Sequence, residues 1–215
     1  MANTRNIALN VLLKIENDGA YSNIALNNAI KENRLSGVDS SFVSALVYGV
    51  LERRITLDYI IRSYSKIPLR KIETKTKNIL RLGILQLLFM DKVPDSAAVN
   101  ESVNLAKKHK LQKSSGFING ILRNITRAED KYTLPDEKDR ARYLSVKYSV
   151  PENIVKLWIN SYGENNAEQI LASLNGRAKI CCRVNTLRTD ADTLIKKLSD
   201  EGVVAEKIPL SLIHI

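Results

Sequence analysis

The sequence predicts a mainly α protein: an all-helical bundle, then further helices and an incomplete small α/β subdomain of β-α-β order. Three observations predict it. Apolar residues recur at helical spacing through the first 130 positions, and no stretch there alternates with period two. Pro68, Pro94 and the Asn17-Asp18-Gly19 run cut that pattern into helix-length pieces. After Ala128 the composition turns polar and charged, and further on a β-branched, cysteine-bearing segment appears.

The elements follow in order. Ile7, Ala8, Val11, Leu12 and Ile15 mark a first helix, with Thr4 as its N-cap and Gly19 past its end. Ile24, Ala25, Ala29 and Ile30 mark a second, closed by Gly37. Asp39 caps a third, striped by Phe42, Val43, Leu46, Val47, Val50 and Leu51, and Leu57, Ile60, Ile61 and Tyr64 continue it. A long helix runs from about Lys71 to Met90, another from Ser96 to about Lys108, and another from Ser114 or Ser115 to near Thr126. Ala128 to Arg140 reads as a linker split by Pro135. Helices follow, one beginning near Pro151, which suits a first helical turn, and one from Glu164 to Leu174. Ala178 to Leu187 then reads as a strand, Asp190 to Ser199 as a helix and Val203 to Ile208 as a second strand. Gly116 and Gly120 form a GxxxG pattern read as close helix packing in a soluble core. The domain reading is 1–128 for the bundle, 129–147 for a linker and connecting helix, and 148–215 for the truncated α/β subdomain.

Composition narrows the function. At 44% hydrophobic the chain can bury a core, and 26% charged is ordinary; a net charge of +10 is not. Residues 1–130 hold 20 Lys/Arg against 12 Asp/Glu, whereas residues 131–215 hold 13 against 11. The excess therefore belongs to the bundle and favours a polyanionic partner. The longest apolar run, Ile79 to Met90, is interrupted by Arg81 and Gln86. It falls short of the roughly 20 residues a membrane span needs, so a buried helix is expected and no membrane partner. The start is not a signal peptide, and the adjacent Cys181 and Cys182 cannot staple the chain; a reducing, cytoplasmic setting is expected.

Catalytic patterns are missing. No two of the nine glycines are separated by a single residue, so the GxGxxG fingerprint is absent, and so is a P-loop. The two histidines, His109 and His214, lie far apart and away from the cysteines, so no metal site is expected. Cys181 and Cys182 have no neighbouring base and read as structural, one facing a core and the other outward. No catalytic residue, no metal and no cofactor are therefore expected in this chain.

The basic clusters are the candidate chemistry. Seven cations (Arg62, Lys66, Arg70, Lys71, Lys75, Lys77 and Arg81) stand against one acid, Glu73. Lys107, Lys108, Lys110 and Lys113 form a second cluster, which also offsets a helix dipole. Arg53-Arg54 and Arg123/Arg127 add two more. Such groups neutralise phosphates without reading sequence. Arg5, Arg53, Arg54, Arg70, Lys71, Lys107 and Lys108 are the expected RNA contacts.

Residues from about Asn3 to Arg127 resemble the NusB-like RNA-binding domains, through LVYGVLERRITLDYII, LRLGILQLLFMDKVPDSAAVNESVNLAKKHK and SGFINGILRNITR. YSVPENIVKLWINSYG and RVNTLRTDADTLIKKLSDEGV resemble the next part of the RsmB-type small-subunit ribosomal RNA cytosine-C5 methyltransferases. The resemblance implies a NusB-like helical RNA-binding domain joined to part of an RNA-binding subdomain, acting as a monomer on small-subunit ribosomal RNA. It also implies a later catalytic domain that binds S-adenosylmethionine and uses cysteines in Pro-Cys and Thr-Cys contexts, which Cys181 and Cys182 do not match. LSLIHI at the end departs from the family pattern, so the chain reads as a fragment or as carrying a foreign tail. The other readings are a transcription antitermination factor that binds RNA together with a ribosomal protein, and a protein-interaction helical domain with an incidental basic surface.

Overall fold

The computed structural model describes residues 4–174 and 180–207. Among them are eleven α-helices: α1 (Thr4–Asp18), α2 (Ser22–Glu32), α3 (Gly37–Glu52), α4 (Arg54–Tyr64), α5 (Thr74–Phe89), α6 (Asp95–Lys108), α7 (Gln112–Arg127), α8 (Arg140–Tyr148), α9 (Glu152–Tyr162), α10 (Glu164–Leu174) and α11 (Ala191–Asp200). A 3-10 turn, Leu69–Lys71, precedes α5, so the expected start at Lys71 moves to Thr74. The structure is thus mainly α, as the apolar spacing requires. The chain divides into two compact units, Met1–Gly176 and Arg177–Ile215.

In the first unit α5 is the centre. Ile79, Leu80, Leu82, Ile84 and Leu85 are buried, as expected of an apolar helix, and so are Asn78, Arg81 and Gln86. The helix is covered all round because α1, α3, α4, α6 and α7 each pack against it. Two glycines permit that closeness. A Cβ on Gly83 would lie 2.7 Å from a Leu122 methyl and 2.9 Å from the Ser102 hydroxyl, and one on Gly49 would lie 2.9 Å from Leu85. The GxxxG expectation is corrected here. Positions 116 and 120 would meet nothing within 4 Å, because the buried stripe of α7 is Ile118, Ile121, Leu122 and Ile125 and the two glycines lie off it.

Helices α8, α9 and α10 bury a smaller cluster of Leu144, Val155 and Leu171, flanked by Tyr143, Trp158 and Ile159. They are tied to α4 by polar contacts. Thr56 Oγ1 donates to the Val146 carbonyl at 2.5 Å, and the Ile55 N–H donates to Ser149 Oγ at 3.0 Å. The stretch read as a linker is also held: Tyr64 donates its hydroxyl to the Lys131 carbonyl at 2.7 Å, and Tyr132 packs on the main core.

The second unit contains α11, capped by Asp190, whose carboxylate accepts from the Thr193 N–H at 2.9 Å and its hydroxyl at 2.7 Å. The two expected strands are corrected. Residues 180–187 and 203–207 form no strand, and Ile180, Leu187 and Val204 are almost fully exposed. A strand is completed only by another strand's N–H and C=O groups, whereas a capped helix completes itself locally. The remaining positions of both expected strands lie outside the described residues. Cys181 and Cys182 are both exposed, so neither faces a core.

Candidate nucleic-acid interface

The expected contact residues divide into held and free cations. Arg5 is held. Its Nε donates to Gln86 Oε1 at 2.7 Å, and its guanidinium lies 5.2 Å from the Phe42 ring centroid. Burial lowers its pKa, opposed by Glu101, and a guanidinium remains charged throughout. Arg53 stacks over Phe89 at 5.1 Å and reaches Glu52 at 3.4 Å. Arg54 is half exposed and 3.9 Å from Glu16. Arg70 and Lys71 project from the 3-10 turn and Lys107 and Lys108 from the last turn of α6, all four exposed.

The end of α6 collects more charge than the sequence pattern indicates. The half-buried His109 has Nε2 2.7 Å from the Asn6 carboxamide oxygen on α1. Burial, then the charges of Lys75 and Lys108, hold the imidazole below the ordinary histidine pKa. Lys75 comes from the start of α5, so the starts of α1 and α5 and the end of α6 converge there. Sequence reasoning missed Lys75, Asn6 and His109 as neighbours, since only the folded chain joins them.

Arg81, counted in the basic run, is not available to a ligand. It is 2% exposed. Its Nε and Nη2 donate to Asp58 at 2.7 and 2.8 Å, a bidentate pair, and its Nη1 donates to Glu16 at 2.9 Å and to Asn78 at 3.1 Å. Glu16 also accepts from Asn78 at 2.9 Å and pairs with Lys77 at 3.1 Å. Burial works to raise the Glu16 pKa, but the Asn78 hydrogen bond and the cations Arg81 and Lys77 outweigh it and hold the carboxyl below its ordinary value. The network is a structural core feature. The signal that could have revealed it is the placement of Arg81 inside an otherwise apolar helix.

A third basic site lies where α6 begins and α7 ends. There a shallow groove of about 360 Å³ is flanked by the exposed Arg123 and Arg127. Among the described residues no helix is long and apolar enough to cross a membrane.

These features define a class first: a helical bundle built on one buried central helix, with exposed cations gathered at its ends. Comparison with known proteins makes it particular. The NusB family matches residues 2–127, and the Methyltr_RsmF/B-like, ferredoxin-like domain matches residues 150–212. The chain belongs to the NusB family. It is 36% identical over 203 residues to the probable ribosomal RNA small subunit methyltransferase B of Bacillus subtilis, covering 94% of this chain and 45% of that protein. It is also 36% identical over 124 residues to the transcription antitermination protein NusB of a Nocardioides species, covering 57% of this chain and 90% of that one. Among solved structures, antitermination factors NusB and NusE in complex with dsRNA superpose with a TM-score of 0.52 at 23% identity, covering 56% of this chain and 91% of the matched one. The chain spans about half the length of the methyltransferase it matches.

Proposed function

We propose that this chain is the RNA-holding front of a small-subunit ribosomal RNA cytosine-C5 methyltransferase. One observation carries the reading: similarity to the methyltransferase B relative runs through 94% of the chain, past Arg127 into α8–α11. A stand-alone antitermination factor does not need that second region. The free cations on the bundle supply the physics, since Lys and Arg that displace counterions bind a phosphate backbone whatever its sequence.

In this reading residues 1–128 hold RNA, 129–147 connect, and 148–215 begin a second RNA-contacting subdomain. Arg53, Arg54, Arg70, Lys71, Lys107 and Lys108 meet phosphates. Arg5, held between Gln86 and Phe42, presents only the exposed part of its guanidinium. S-adenosylmethionine and the reacting cysteines belong to the catalytic part of the longer protein, and this chain by itself methylates nothing. It works as a monomer in the cytoplasm. An anisotropy titration against small-subunit ribosomal RNA tests the reading. Micromolar or tighter binding that weakens steeply with salt is expected, and no binding at low salt overturns it.

The second reading, a transcription antitermination factor acting with a ribosomal protein, is favoured by the match across 90% of a NusB relative. An RNA-dependent pull-down that recovers a ribosomal protein would move it ahead.

A further inference from the structure

We propose that the groove between the start of α6 and the end of α7 is a separate binding site for the backbone phosphates of RNA. The proposal rests on the RNA-binding reading above and adds a site outside the residues named there.

Arg123 and Arg127 line the groove with Ser96, Asn100 and Thr126. The two arginines are four residues apart on α7, so their charges share one face and repel. Among the described residues neither guanidinium has an ion-pair partner, in contrast to Arg81, which has two carboxylates. Arg127 lies in the last turn, where a cation offsets the helix dipole; Arg123 lies a turn earlier, where that explanation fades. Two unpaired planar forks on adjacent turns suit the oxygens of a phosphodiester, which each can grip with two N–H groups. Ser96 and Asn100 add neutral donors from the opposite wall.

The groove's one carboxylate, Asp95, is engaged by Lys131 at 3.5 Å, which offsets its charge. Lys131 is itself fixed, because its carbonyl accepts from Tyr64. The next residue, Tyr132, lies in the field of Arg53. Arg53 stacks on Phe89, the last residue of α5, and a short turn joins α5 to the start of α6. The groove and Arg53 therefore share one end of the bundle. Lys131, Arg123 and Arg127 are the cations at the groove, at the opposite end of α6 from Lys107 and Lys108. No aromatic side chain lines the groove, so bases do not stack there and the contact is to backbone.

The test is fluorescence anisotropy of the 215-residue chain with a 5′-labelled single-stranded RNA of small-subunit ribosomal sequence, over a salt series. The double variant R123A/R127A is expected to bind roughly tenfold more weakly, with the slope of log affinity against log salt reduced by about 1.4, or ~0.7 per lost phosphate contact. R123K/R127K should restore most of the slope but not the full affinity, since an ammonium cannot grip a phosphate bidentately. Both arginines are exposed, and a circular dichroism melt should show the variants as folded as the parent. If the parent binds and R123A/R127A matches it in affinity and slope, the groove is not a site. If the parent does not bind at all, the RNA-binding reading fails first and takes this site with it.

Discussion

The interior around Arg81 and the surface around Arg123 use the same side chain in opposite ways. Arg81 is enclosed by Asp58, Glu16 and Asn78, and its guanidinium is answered on each of its nitrogens. Arg123 and Arg127 stand exposed beside a groove whose one carboxylate, Asp95, lies 3.5 Å from Lys131, and among the described residues neither arginine has an ion-pair partner. A guanidinium taken out of water must be matched by its own chain, while one left in water can wait for a ligand's charge. The contrast separates the cations that hold the bundle together from those that can bind.

Removing the interior arginine should have the largest effect. Arg81→Ala leaves Asp58 and part of Glu16 without their main partner in a largely buried site, and a loss of about 3–5 kcal/mol in a denaturant melt is expected. A loss below about 1 kcal/mol would show that water enters the site. Gly83→Ala comes next, because its Cβ would collide with Leu122 and Ser102. Overpacking of this kind costs about 1–3 kcal/mol, read in the same melt.

The network also predicts a pH dependence. The Glu16 pKa is depressed in the folded state, so the stability this group brings is present above its unfolded value and is lost as pH falls through the folded one. Stability should decline on the acid side of about pH 4.3, the ordinary glutamate range. Glu16→Gln should be weaker at neutral pH and lose less between neutral and acid, measured by urea titrations along the pH series.

On the surface, Arg53→Ala with Arg54→Ala tests whether cations with weak local partners bind without holding the fold. Their pairs with Glu52 and Glu16 are solvent-screened, so stability should change by less than about 1 kcal/mol while RNA affinity falls severalfold. Unchanged affinity would remove this pair from the interface. The smallest effect is local. His109 should titrate below the ordinary histidine range in an NMR pH series, and Lys75→Ala or Lys108→Ala should move it upward.

The helices were legible because their information is local. The Leu144–Val155–Leu171 cluster could not be read from the sequence, since it joins three separate short helices and their meeting is set by the fold. The strands failed for the converse reason. Val203, Val204 and Ile180 carry strand propensity, but the partner that would use it is not fixed by neighbouring residues. Of the interface, the basic clusters were visible as composition, but not their grouping into two ends of the bundle.

The order of the helices, the buried character of α5 and the concentration of positive charge in the first 130 residues can all be read from the chain of letters. Each depends on spacing within a few turns or on simple counting. The folded arrangement was needed to learn that Gly83 rather than Gly120 lets helices touch, that Arg81 is committed to carboxylates 23 and 65 residues away, and that Arg123 and Arg127 remain open. The fate of a charge or of a small residue is set by what the fold brings beside it, and those neighbours lie far along the chain.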